Sequence, residues 1–111
     1  MAKVANSDCK ADFPQRVIRW TDEAVKWLQE IHEYISNDNA NIANKVVREI
    51  YDKTQILELM PKVGYKYQDR DDIRILLYGH YRIAYSIKDS EIIDILGVFH
   101  GSLDIERYLK I

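Results

Sequence analysis

Only one cysteine, Cys9, occurs in the chain, so no intrachain disulfide can form and a thiol-reducing compartment suits the protein. Glycine is equally sparse, with four in all, which excludes a glycine-rich loop able to cradle phosphates. Three histidines and the lone cysteine lack metal-ligand spacing, so neither a metal nor a cofactor is expected. No segment approaches the ~20 apolar residues of a membrane span, and Met1–Gln15 has no apolar run of signal-peptide length. A cytoplasmic protein is expected. Neither sign of charge dominates: 16 basic and 18 acidic side chains leave a net charge of −2. Proteins that live on nucleic acid usually carry a basic surplus, and this one does not. The balance is uneven, however. Between residues 61 and 88, Lys62, Lys66, Arg70, Arg74, Arg82 and Lys88 face only Asp69, Asp71 and Asp72. That local excess is either a solvated sheet edge or an anion-facing patch.

What remains is enough for one domain. The 111 residues are 47% hydrophobic, which supports a core without staples. Residues 1–15 read as a flexible arm and residues 16–111 as the domain. Arg16–Trp20 is β-prone and short. Thr21 then suits an N-cap, with Asp22 and Glu23 complementing the helix dipole. Ala24, Leu28, Ile31 and Ile35 recur at helical spacing, and Ser36–Asn39 breaks the pattern. Ala43, Val46, Val47, Ile50, Thr54 and Leu57 start a second stripe that runs to about Met60, where Pro61 stops it. Two amphipathic helices joined by a short loop form an αα-hairpin that needs a partner to bury its stripes.

The C-terminal half supplies that partner. Ile73–Tyr78 reads as a strand, and Gly79-His80 suits a two-residue hairpin turn with glycine first. Tyr81, Ile83, Tyr85 and Ile87 then share one face of a strand, with Arg82, Ala84 and Ser86 on the other. Lys88-Asp89-Ser90 turns the chain into Ile92–Phe99, the most apolar strand, expected at the centre of the sheet. Gly97 within it predicts a bulge or a close backbone approach. Tyr65–Tyr67 is a candidate extra strand. Ser102–Ile111 is a short amphipathic tail, expected to be helical, with Leu103 and Tyr108 or Leu109 as its apolar contacts. The fold class is therefore α+β: a short N-terminal strand and an αα-hairpin packed on a C-terminal antiparallel β-meander, closed by a short helix.

Local residues sharpen this. A helix starts at Trp20-Thr21-Asp22-Glu23-Ala24, and a second ends in Pro61-Lys62-Val63-Gly64. Ile73-Arg74-Ile75-Leu76 leads into Tyr81-Arg82-Ile83-Ala84-Tyr85. Ile95-Leu96-Gly97-Val98-Phe99-His100 follows, then Gly101 and Asp104. In order, over residues 16–108, these resemble the plasmid-stabilisation toxins of the RelE/ParE superfamily, and ParE-like members above all. The chain departs from the pattern at Ser102 and Leu103, where ParE-like members usually carry arginine. The resemblance implies the toxin of a type II toxin–antitoxin pair, neutralised by an antitoxin and inhibiting DNA gyrase. Its alternatives are a ribosome-dependent mRNA endonuclease and a non-toxic relative that only binds a partner protein. A homodimer or a toxin–antitoxin hetero-oligomer is the assembly it implies.

Arg82 is the first candidate for chemistry, because a mid-strand cation among apolar neighbours needs a partner. Asp94 on the next strand could be that partner. The resemblance instead implies a phosphate clamp or transition-state stabiliser, a task suited to a planar bidentate donor. His100, ending the last strand, is either a structural hydrogen-bonder or the general acid for a leaving 5′-oxygen. The general base is missing. Lys62, Lys66 and Asp69 lie near the start of the meander, and Lys66 is the weak third candidate. Tyr78, Tyr81 and Tyr85 read as half-buried core before they read as stacking platforms for bases. His80 reads as an exposed turn residue, and Trp27 as an edge contact or part of a partner surface.

Overall fold

The computed structural model describes residues 16–89, 91–101 and 105–109. Expectations for the arm 1–15, Cys9, Ser90, Ser102, Leu103, Asp104 and the Tyr108 side chain lie outside the described residues. Strand β1 (Val17–Trp20) leads into α1 (Asp22–Ser36). The Thr21 hydroxyl accepts from the Ala24 amide at 3.1 Å and donates to the Ile95 carbonyl at 2.7 Å. One side chain thus caps the helix and ties its start to the sheet. Asn39 caps α2 (Ala40–Thr54) in the same manner through the Ile42 amide. A 3₁₀ turn at Gln55–Glu58 replaces the last helical turn expected before Pro61. Buried Thr54 donates its hydroxyl to the Tyr51 carbonyl, the local bond that competes with helix continuation.

Four strands form the meander: β2 (Tyr65–Tyr67), β3 (Arg70–Tyr78), β4 (Tyr81–Ile87) and β5 (Ile92–His100). The sheet order is β1-β5-β4-β3-β2, with β1 parallel to β5 and all other pairs antiparallel. The α+β architecture expected from sequence is therefore observed, as a mixed five-stranded sheet. The central strand is β4 rather than β5, because β1 docks outside β5 and covers only Ile92–Ile95. A bulge falls at Leu96, beside Gly97, whose missing side chain leaves room for the ring of Phe99. Gly79 adopts φ +54 in the two-residue β3–β4 turn, as its position requires. Gln68 and Asp69 both adopt positive φ in the β2–β3 turn, the arrangement of a type I′ hairpin.

One face of the sheet buries Leu76, Ile83, Tyr85, Ile93, Ile95 and Val98 against Ala24, Ile50 and Leu57 of the helical layer. The opposite face buries Ile73, Ile75, Ala84 and Phe99 under Ile105 and Leu109, contributed by the short α3 (Ile105–Tyr108) and the residue after it. Loop 61–64 is pinned from inside. The Tyr85 hydroxyl donates to the Pro61 carbonyl at 2.7 Å and accepts from the Gly64 amide at 3.0 Å. Arg74, 8% exposed, donates to the Gly64 carbonyl at 2.7 Å and the Lys62 carbonyl at 3.2 Å, and pairs with Asp71 at 2.7 Å. A Cβ on Gly64 would stand 2.5 Å from the Ile75 carbonyl oxygen. The Pro-x-x-Gly signature is thus a packed turn over two buried polar side chains.

Candidate functional site

The candidate residues gather where the β3–β4 hairpin turns and β5 ends. Register sets Tyr81 opposite His100 and Arg82 opposite Phe99 and Leu77. The Gly101 amide donates to the His80 carbonyl at 2.7 Å, closing this corner of the sheet. Arg82 donates through one terminal nitrogen to the Gly101 carbonyl at 3.2 Å. Asp94, the acid expected to pair with Arg82, is instead held by Arg19 at 2.7 Å and 3.2 Å. The correction follows from the parallel pairing of β1 with β5, which sets Arg19 directly beside Asp94. This ion pair raises the Arg19 guanidinium above its ordinary value, chiefly through the hydrogen bond to Asp94.

Arg82 and His100 share a corner but not a face. Strand alternation sends Arg82 to the side of Ala84 and Ser86, whereas His100 lies with Tyr81 and Val98 on the helical side. Both reach the rim of an open depression of about 560 Å³ that wraps the end of the sheet, with Leu77, His80 and Tyr81. Lys66 does not join them. It sits opposite Arg74 on edge strand β2. Three residues along the sheet and two strands across separate its backbone from that of Arg82, about 14 Å at ordinary strand spacings.

Two further contacts were not evident from sequence. His80, read as a bare turn residue, stacks loosely on His100 with ring centroids 6.2 Å apart. The two-residue turn is the signal, since it forces residue 80 beside the 81–100 pair. On the helical side, a cleft of about 410 Å³ opens between α1 and the sheet, lined by Trp27, Glu30, Ile31, Tyr34, Tyr81, Val98 and His100. Tyr34 falls outside the apolar stripe of α1 and is 81% exposed. Burial, with the Tyr34 phenol nearby, holds the Tyr81 hydroxyl above its ordinary pKa and so neutral. Tyr81 also meets the His100 ring edge-on at 5.7 Å. Trp27 packs edge-on against Phe99 at 4.8 Å, which makes it a contact between helix and sheet. Among the described residues, no group of three histidine, cysteine or acidic side chains could hold a metal ion. No described helix is long and apolar enough to cross a membrane.

The short strand, helical hairpin and meander, with arginine and histidine at one end of the sheet, define a domain of the RelE/ParE kind. The family described as ParE toxin of type II toxin–antitoxin system, parDE, matches residues 18–105, and the chain belongs to it. A solved structure titled as a chromosomal ParDE toxin–antitoxin system from P. aeruginosa shares the fold at a TM-score of 0.64 and 20% identity. That match covers 78% of this chain and 96% of the other. A structure titled as the toxin–antitoxin complex RelBE2 from Mycobacterium tuberculosis aligns at a TM-score of 0.60 and 21% identity, over 79% of this chain and 92% of that one. No curated protein sequence matches the chain.

Proposed function

We propose that this toxin is neutralised by a cognate antitoxin and inhibits DNA gyrase without cleaving nucleic acid. One observation carries the gyrase reading over the nuclease reading: Arg82 and His100 lie on opposite faces of the sheet, with Lys66 strands away. Metal-free cleavage of RNA needs a base at the 2′-hydroxyl, an acid at the leaving oxygen and a cation on the phosphate, all around one phosphorus atom. This corner offers no such set of Arg82, His100 and Lys66. The family match over residues 18–105 supports the same reading. Antitoxin control is supported by the structural neighbours, whose titles describe a toxin–antitoxin system and complex. The purified protein is expected to abolish supercoiling by gyrase, and an equimolar antitoxin to restore it. Full supercoiling at excess protein would refute the proposal.

The second reading, a ribosome-dependent mRNA endonuclease, draws on His80. It brings a second imidazole within 6.2 Å of His100 and so supplies the kind of base that the sequence did not identify. New cuts in ribosome-bound message, abolished in Arg82→Ala, would establish that reading in place of the first. Normal growth on expression, with neither effect, would leave a non-toxic partner-binding relative.

A further inference from the structure

Between the two helices runs a groove of about 490 Å³, lined by Val25, Leu28, Gln29, His32 and Glu33 of α1 and Val47 of α2, with no residue of the sheet. The α1 members recur at helical spacing, and Asn44, Val47, Arg48 and Tyr51 do the same on α2. His32 and Asn44 hydrogen-bond at 2.7 Å and so fix the level at which the helices meet. Val25 is 38% exposed and Tyr51 48%, which leaves apolar surface facing water. Charge on this face is sorted by helix and by level. Antiparallel packing about the His32–Asn44 contact sets Glu33 level with the start of α2, near Lys45 and Arg48. It sets Lys26 level with the second half of α2, near Asp52. All five side chains are exposed, and none belongs to an ion pair among the described residues. The helix ends lack the same charges: α1 has no base in its last turn and α2 no acid in its first.

We propose that this face pairs with itself: a second copy of the chain packs hairpin against hairpin about a two-fold axis parallel to the helices. That axis sets α1 of each copy against α2 of the other, antiparallel, as a four-helix layer between two sheets. Levels along the helices do not shift, so Glu33 meets Lys45 and Arg48 of the second copy, and Lys26 meets its Asp52. The same contacts bring a base to the C-terminal end of α1 and an acid to the N-terminal end of α2. An axis across the helix midpoints would instead set α2 against α2. Lys45 and Arg48 of one copy would then face those of the other, a like-charge contact. Charge therefore selects one of the two arrangements. The apolar stripe is narrow, so the dimer is expected to be of micromolar affinity and to weaken as salt rises. No residue of the Arg82 corner takes part, so this proposal and the gyrase proposal fail separately.

Sedimentation equilibrium of the full chain between about 5 and 500 μM is expected to move from 13.1 kDa toward twice that mass. Glu33→Arg and Arg48→Glu each create like-charge contacts twice over, by symmetry. Each alone is expected to weaken self-association about tenfold or more. Both positions are exposed, so melting temperatures are expected to stay near that of the wild type. Mixed one to one, the two variants restore opposite charges at both contacts, and a heterodimer of near wild-type affinity is expected. A chain that stays monomeric to about 500 μM at low salt would overturn the proposal and leave this face to a different protein. Tighter self-association of Glu33→Arg would also overturn it, because α1 would then face α1. So would single variants that dimerise like the wild type, or a mixture that associates no better than its parts.

Discussion

Tyr85→Phe isolates the buried polar clamp on loop 61–64, because it removes one oxygen and little else. The phenol is fully buried, donates to the Pro61 carbonyl at 2.7 Å and accepts from the Gly64 amide at 3.0 Å. Gly64 is itself buried, so its amide has no access to water once the hydroxyl is gone. A buried donor left without a partner costs about 1–3 kcal/mol, and the Pro61 carbonyl loses its bond as well. The ring stays in place, so no large cavity forms and the hydrophobic contribution is retained. A loss of about 2–3 kcal/mol is expected, which lowers Tm by roughly 8–15 °C for a domain of this size. Urea melts of wild type and variant at neutral pH measure it directly, with an unchanged m value showing that both unfold from the same compact state. A loss below about 0.5 kcal/mol would refute the reasoning, since a buried amide cannot be abandoned so cheaply.

Gly64→Ala is expected to destabilise more than Tyr85→Phe, because the new Cβ meets rigid backbone, 2.5 Å from the Ile75 carbonyl oxygen, and also crowds the Tyr85 hydroxyl at 2.9 Å. Side-by-side thermal melts of the two variants would contradict this if Gly64→Ala were the milder. Alkaline stability should also report on Tyr85. Burial raises its pKa above the ordinary value of about 10, so the stabilisation it provides is complete below pH 10 and is lost as pH climbs toward the folded value. Tyr85→Phe should therefore flatten the fall in Tm above pH 10, and an unchanged fall would assign it to other groups. At acid pH the sign reverses. Hydrogen bonds from Arg74 and Lys62 depress the Asp71 carboxyl below 3.8, so its contribution persists above that value and disappears as pH drops further. Asp71→Asn should accordingly differ from wild type at neutral pH and converge with it in acid melts.

The sequence pattern carried the elements well because each rests on local chemistry. Thr21 as cap, the break at Ser36–Asn39 and Gly79-His80 as turn are all decided within a few residues of chain. What was not legible depends on partners far apart. Whether Arg19 or Arg82 holds Asp94 is settled by a parallel pairing across more than 70 residues, and nothing near Asp94 encodes it. Arg74 shows the same limit. It looks like one more basic residue in the excess over 61–88, yet it is buried beneath the 61–64 turn and faces no external anion. That excess therefore shrinks as a binding surface: Lys62, Arg70 and Arg74 are committed to Asp71 and Asp72.

The candidate site was half legible for a related reason. Residue type and position picked out Arg82 and His100, but catalysis depends on which way side chains point. A strand answers that by its two-residue period. The Arg82–Phe99 and Tyr81–His100 pairs sit in adjacent rungs, so their side chains project to opposite faces. One residue of slip in β5 would have brought arginine and histidine together. The register instead leaves His100 against Tyr81 and the α1 cleft, where it can join a binding surface more readily than an acid–base pair with Arg82. A nuclease reading must therefore move one of these side chains across the sheet end or recruit His80, whereas a binding function needs neither.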